Sequence, residues 1–312
     1  MKLVIGTRGS ILALWQARHV ARRIEEAFAD VQVELMTIKT RGDKILDVPL
    51  ARVGGKGLFT KEIEDALLDG RVDLAVHSLK DLPTELPEGL GLVAVLERED
   101  PRDVFISSDG RTLDELPPGA RIGTSSLRRR AFLLQRYPHL NVIPIRGNVE
   151  TRLRKIETEQ LAGVVLAAAG VCRLGFSDRI TSYIPTEVII PAIGQGALAV
   201  EARLGDTRVS EIAKVLHDET TAMCVNIERS FLKRLGGGCQ VPMAAYCVLG
   251  ETGVTTIAAV VHPDGRPVVQ GELRSAFPNE KLGVELANTL IQKGADKILR
   301  SVLTETWEPS PV

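Results

Sequence analysis

Strand-length apolar runs alternate with helix-length amphipathic stretches along most of this chain, and that alternation restricts it to α/β architectures. Residues 3–6, 31–38, 73–76 and 91–96 read as strands, and helical patterns at 10–28 and 58–68 fall between them. Strands joined through helices build sheets whose faces the helices cover. A charged segment, Glu97-Arg98-Glu99-Asp100-Pro101-Arg102-Asp103, leads into a strand at 104–106, and the pattern starts again. It runs through a strand at 122–123, a helix at 126–135, a strand at 142–145, a helix at 149–157 and a strand at 164–167. The run Pro191-Ala192-Ile193-Gly194-Gln195-Gly196, before a strand at 197–200, marks a second crossing, and two crossings make a hinge. After a helix at 219–234, strands around Ala245, Ile257 and Val268 and one helix at 279–299 predict a smaller α+β domain. The expected domains are residues 1–96 with 197–216, residues 102–191 and residues 219–312, with no internal sequence repeat.

A chain of 312 residues can bury more than one core. Its 39 basic and 40 acidic side chains give no global field for nucleic acid or a membrane, so anion recognition has to come from local clusters and a small partner is expected. The cysteines at 172, 224, 239 and 247 form no C-x-x-C pair, and the five histidines have no metal-ligand spacing. No metal is expected, and the thiols fit a reducing compartment. Met1-Lys2 runs directly into a strand-like segment without an h-region, and no apolar run has membrane-spanning length, so a cytoplasmic location is expected.

Three strand-to-helix junctions share one design: Arg8-Gly9-Ser10, Thr124-Ser125-Ser126-Leu127-Arg128-Arg129-Arg130, and Arg146-Gly147-Asn148. At each, backbone N–H groups and short polar side chains meet at a helix start, where the dipole favours an anion, and an arginine offers a planar fork for a carboxylate. Ordinary N-capping with solvated arginines explains any one of them. Three together, with Arg152, Arg154 and Arg173 nearby in sequence, point to a ligand carrying several anionic groups, because basic residues at helix starts oppose the dipole.

The segment His77-Ser78-Leu79-Lys80-Asp81-Leu82-Pro83 ends a strand with a cation beside an anion. Ligands gather beyond the carboxyl ends of strands in such sheets, which suits Asp81 facing a substrate; a surface turn before proline is the other reading. His77, flanked by strand residues, reads as structural. Val53-Gly54-Gly55-Lys56-Gly57-Leu58-Phe59 lacks a P-loop's first glycine and Ser/Thr, and Gly194-Gln195-Gly196 precedes a strand instead of a helix, so neither supports a nucleotide. A loop closing with Lys56 and Phe59, and a hinge, fit them better. In Leu235-Gly236-Gly237-Gly238-Cys239-Gln240-Val241-Pro242, glycines surround a thiol. Two readings stand: an inert cysteine after a helix end, or a thiol presented for covalent attachment.

Taken in order along nearly the whole chain, these segments, with Gly6-Thr7-Arg8-Gly9-Ser10-Ile11-Leu12-Ala13-Leu14-Trp15-Gln16 and Thr40-Arg41-Gly42-Asp43, closely resemble the porphobilinogen deaminase (hydroxymethylbilane synthase) family. The resemblance implies two hinged periplasmic-binding-protein-like α/β domains plus a smaller C-terminal α+β domain. It implies a cytoplasmic, monomeric transferase of tetrapyrrole synthesis, with a dipyrromethane cofactor joined by a thioether to Cys239. On that cofactor four porphobilinogen molecules condense with loss of ammonia, and hydrolysis releases linear hydroxymethylbilane. Asp81, with Lys80 and Arg8, is implied to be catalytic. Cofactor binding is implied for Lys80, Asp81, Thr124, Ser125, Ser126, Arg128, Arg129, Arg146 and Gly147. Substrate binding is implied for Arg8, Ser10, Gln16, Arg146, Asn148, Arg152, Arg173 and Gln195. Gly236, Leu79 and Arg130 depart from the family's usual residues. Outside the resemblance, a non-catalytic hinged binding protein for a polycarboxylate remains the alternative.

Overall fold

The computed structural model describes residues 1–44, 57–236 and 241–304, and Lys56 and Cys239 lie outside them. Strand β1 (Lys2–Thr7) buries Leu3 and Ile5 completely, on the face that alternate residues of a strand share. The helix Ile11–Ala27 covers that face with Ala17, Val20, Ala21 and Ile24, a spacing of three and four that forms one apolar stripe. Burying a leucine or isoleucine side chain contributes about 1.5–3 kcal/mol, so this layer alone strongly favours the strand–helix pair. The chain continues through β2 (Gln32–Thr37), the helix Lys61–Leu68, β3 (Leu74–Ser78) and β4 (Leu90–Val95). It then forms β5 (Asp103–Ser107), β6 (Arg121–Gly123), β7 (Asn141–Ile143), β8 (Gly163–Ala167) and β9 (Ser182–Ile184), and after them β10 (Leu198–Arg203).

Two compact units result: Met1–Pro101 with Ala169–Ser177 and Gly194–Met223, and Arg102–Ala168 with Asp178–Ile193 and Cys224–Val312. In the first, the sheet order is β2-β1-β3-β10-β4; β2, β1 and β3 are parallel, and β10 runs antiparallel to both neighbours. The second has the order β7-β6-β8-β5-β9, with β7, β6 and β8 parallel and β5 antiparallel to both neighbours. Strand for strand the two sheets have one topology, each with its fourth strand antiparallel and contributed from across a crossing. The amino-acid sequences of the two halves do not betray it.

The second unit also holds the antiparallel meander β11 (Met243–Gly250), β12 (Gly253–Val261) and β13 (Val268–Ser275). One face, with Met243, Ala245, Ala258 and Val260, packs on the helices Lys281–Gln292 and Ala295–Thr304. The other, with Ala244, Ala259 and Val261, shares a core with Ala131 and Phe132 of the helix Leu127–Arg136. Where one C-terminal helix was expected, two form. Gly294 takes φ +97°, a conformation glycine adopts without strain, and ends the first just past its last turn. The strand β9 and the helix Thr207–Ala213 have no counterpart in the sequence pattern.

Candidate active site

The parallel neighbours β1 and β3 bring their carboxyl ends together, so the loop after β1 meets the turn after β3. Ser10 caps the helix Ile11–Ala27, accepting from the Ala13 N–H at 3.2 Å. Gln16, one turn further along and buried, donates to the Ser78 hydroxyl at 2.9 Å and ties the helix to the end of β3. Beyond Ser78 a single 3-10 turn, Leu79–Asp81, buries Leu79 and leaves Asp81 exposed. Arg8, Ser10, Gln16, Phe59, His77 and Asp81 line one cleft that is open to solvent. The Arg8 guanidinium lies 4.2 Å from the centre of the Phe59 ring, a cation–π contact. The Asp81 carboxylate has no hydrogen bond or ion pair among the described residues.

Lys80 turns the other way, donating to Gln195 Oε1 at 3.4 Å, and Gln195 in turn donates to the Pro101 carbonyl at 2.7 Å. Gly194 and Gly196 flank it at φ +72° and +92°; a Cβ on Gly196 would sit 2.3 Å from the Glu99 carbonyl, so this turn requires glycine. Arg173 donates to the Gly196 carbonyl at 2.7 Å and lies 5.8 Å from the centre of the Trp15 ring.

In the second unit, parallel β6 and β7 place their following junctions side by side. Ser126 caps the helix Leu127–Arg136, accepting from Arg129 N–H, and Asn148 caps the helix Val149–Thr158, accepting from Thr151 N–H at 2.8 Å. Thr124 Oγ1 accepts from Ser126 N–H, and the Ser125 hydroxyl donates to the Ile145 carbonyl, linking the two junctions. Gly147 is held at φ +113°, with Thr151 where a Cβ would fall, and its carbonyl accepts from Arg152 Nε at 2.8 Å. Arg146 is half-buried beside it.

Sequence reasoning missed the partner of Arg128 and Arg129. Both are buried, and both close on Asp103, a fully enclosed carboxylate at the start of β5. Arg128 Nη1 donates to Oδ2 at 2.7 Å and to the Ile190 carbonyl; Arg129 donates to Oδ1 through Nε at 3.0 Å and Nη2 at 2.8 Å. Burial alone would raise the Asp103 carboxyl, but the two guanidiniums outweigh it and hold the group well below the usual carboxylate range. Two arginines against the dipole of one helix start were the available signal for such a carboxylate.

Behind the cleft, His77 Nε2 faces Glu201 Oε2 of β10 at 2.9 Å, both side chains being buried. Glu64 of the helix Lys61–Leu68 is buried nearby, and burial, with the charge of Glu201 adding to it, pushes its carboxyl up. A carboxyl raised in the folded state contributes stability at acid pH that is lost as pH climbs through the raised value. Glu64→Gln should therefore melt above the parent at pH 8 and lose that advantage at pH 4. Thermal melts across that range check it, and a difference that does not vary with pH overturns it.

Family models match most of the chain: the dipyrromethane cofactor binding domain of porphobilinogen deaminase over residues 3–211, and the C-terminal domain of porphobilinogen deaminase over residues 222–292. The chain belongs to the porphobilinogen deaminase family. The porphobilinogen deaminase of Syntrophotalea carbinolica is 53% identical over 301 residues, covering 96% of each chain. That of Geobacter sulfurreducens is 52% identical over 302 residues, covering 96% of this chain and 95% of the relative. The Carboxydothermus hydrogenoformans porphobilinogen deaminase is 49% identical over 308 residues, covering 98% and 99%. Among solved structures, the methionine-binding protein MetQ aligns with a TM-score of 0.44 at 12% identity, over 71% of this chain and 92% of MetQ. The family description names dipyrromethane as the bound group. No helix among the described residues is long and apolar enough to cross a membrane.

Proposed function

We propose that this chain condenses four porphobilinogen molecules head to tail, with loss of ammonia, on a dipyrromethane primer joined to Cys239, and releases linear hydroxymethylbilane by hydrolysis. The observation that carries the reading is Asp81, an anion exposed in a cleft with Arg8 and Ser10 and paired with neither among the described residues. A site built only to bind a polycarboxylate gains nothing from a carboxylate there. A pyrrole offers an N–H donor and develops positive charge as its aminomethyl nitrogen departs, and both suit an anion. The donor set thus fits pyrrole rings bearing acetate and propionate groups, and with them the dipyrromethane that the family description names. When bound, that group supplies the pyrrole carbon to which the first substrate is joined.

Asp81 holds ring N–H groups and offsets the cation that forms when ammonia leaves. Arg8 and Ser10 take the acid side chains of the incoming ring, and Gln16 fixes the end of β3 that carries Asp81. Lys80, steadied by Gln195, adds a cation at the same turn. Thr124, Ser125, Ser126, Arg146, Gly147, Asn148 and Arg152 form paired helix starts suited to further carboxylates; Arg173 adds a cation, and Arg128 and Arg129 serve the cofactor by bracing the first of those starts through Asp103. Phe59 lines the cleft beside Arg8, while Lys56 lies outside the described residues. The division into residues 1–96 with 197–216, 102–191 and 219–312 belongs to this proposal, supported by three separate sheets. So does a cytoplasmic, monomeric enzyme without a nucleic-acid partner; Cys172, Cys224 and Cys247, none of them in a disulfide among the described residues, suit a reducing compartment.

Intact-mass measurement of the purified protein incubated with porphobilinogen, followed by peptide mapping, tests the reading. The peptide containing Cys239 should carry the mass of two linked pyrrole units, and Cys239→Ala should abolish both the adduct and turnover. A bare Cys239 in the parent, or normal turnover by Cys239→Ala, overturns it.

A further inference from the structure

We propose that His77, oriented by Glu201, is a second proton-transfer group of the cleft, accepting the ring-carbon proton that each addition of a pyrrole releases. The proposal rests on the reading above. Three observations support it. His77 lines the same cleft as Asp81. Its Nε2 lies 2.9 Å from Glu201 Oε2, and a carboxylate accepting there would fix the hydrogen on that nitrogen. The other ring nitrogen, Nδ1, has no partner among the described residues and is not one of the fully enclosed unpartnered atoms.

The arrangement is costly unless it is used. Glu201 is fully buried, one of its oxygens has no hydrogen-bond partner, and the other has only the imidazole. A buried carboxylate so thinly supported destabilises a fold compared with apolar residues of the same size. Nor is it needed to hold the strands, because β3 is already laddered to β1 and β10, with His77 opposite Ala199. A carboxylate that orients the imidazole of a cleft-lining histidine, with the second ring nitrogen unpartnered among the described residues, is a general-base geometry.

The chemistry calls for such a group. In each addition the C–N bond of the aminomethyl group breaks and its electron pair leaves with ammonia. A ring carbon of the growing chain forms the new C–C bond; its C–H bond then breaks, the pair returns to the ring, and the proton goes to Nδ1. From there it passes to ammonia, giving ammonium, and no further reactant is needed. Were Asp81 to take that proton it would lose the charge that offsets the cation, so the two duties fall better on two groups. The charged groups around His77 are Glu201 from β10, Glu64 from the helix Lys61–Leu68, Arg8 from the loop after β1, and Lys80 and Asp81 beyond its own strand.

His77→Gln keeps a donor for Glu201 but cannot carry a proton. It should lower kcat about 100-fold with KM within about twofold. Glu201→Gln should lower kcat less, again without moving KM. A readout independent of turnover is ring nitrogen NMR of the histidine-labelled holoenzyme: the neutral His77 ring should be the Nε2–H tautomer, and Glu201→Gln should lose that preference. An active parent with an unmoved kcat in His77→Gln overturns the proposal, as does a His77 ring in the Nδ1–H tautomer. Should His77→Gln fail to fold, the ring spectra of the parent and of Glu201→Gln decide. A parent that does not turn over porphobilinogen fails the broader reading, a result distinct from these.

Discussion

Asp103→Asn should destabilise the second unit by about 3–5 kcal/mol, the cost of leaving buried charge without its partner. The substitution keeps the shape of the side chain but removes the anion between Arg128 and Arg129, both nearly inaccessible to water. Two guanidiniums would then repel across a site of low dielectric. The pH dependence gives the cause a signature. Because the Asp103 carboxyl is held below the carboxylate range, its contribution is complete above the ordinary aspartate value of about 3.9 and is lost only as pH falls through the depressed one. The gap in urea midpoint between parent and variant should thus be flat from pH 5 to pH 8 and narrow only in strong acid. A loss below about 1 kcal/mol, the level of an exposed pair, would overturn the argument.

The same pair marks where the sequence stopped being readable. Local chemistry was legible: Ser10, Ser126 and Asn148 each cap the helix expected of them, and Asp81 stands beyond a strand end. Those features are written in three or four adjacent residues. The carboxylate that engages Arg128 lies 25 residues away, and Glu201 lies 124 residues from His77. Pairings of that span depend on which strands become neighbours, and no local period records it. His77 accordingly read as structural, and Arg128 and Arg129 as ligand forks alone. The break at Gly294 was missed for another reason. An isolated glycine inside a helical pattern is tolerated often enough that only its backbone conformation shows the helix ending there.

Asp81→Asn should lower kcat by about 10²–10³-fold while leaving KM within a few-fold. Asparagine matches the carboxylate in size and can still accept from a pyrrole N–H, so binding of the ring is largely kept. What it lacks is the charge opposing a cation, and removing one preorganised electrostatic group from an active site costs about 2.7–4 kcal/mol of barrier. Since Asp81 is exposed and makes no contact that holds the fold among the described residues, the melting temperature should not fall with the rate. Steady-state turnover of porphobilinogen, with a melt on the same sample, separates the two. A kcat within threefold of the parent would overturn the electrostatic role.

The position of β10 between β3 and β4 has a consequence for synthesis on the ribosome. A nascent chain that has emerged only as far as Pro101 has four of the five strands of its first sheet but not the one that belongs between two of them. Its β3 and β4 edges must wait, unladdered, until about a hundred further residues arrive. The sheet of the second unit, by contrast, is complete once β9 has emerged. The part of the chain made first is therefore finished later, and the stretch most in need of protection during translation is the half-built sheet that carries Asp81.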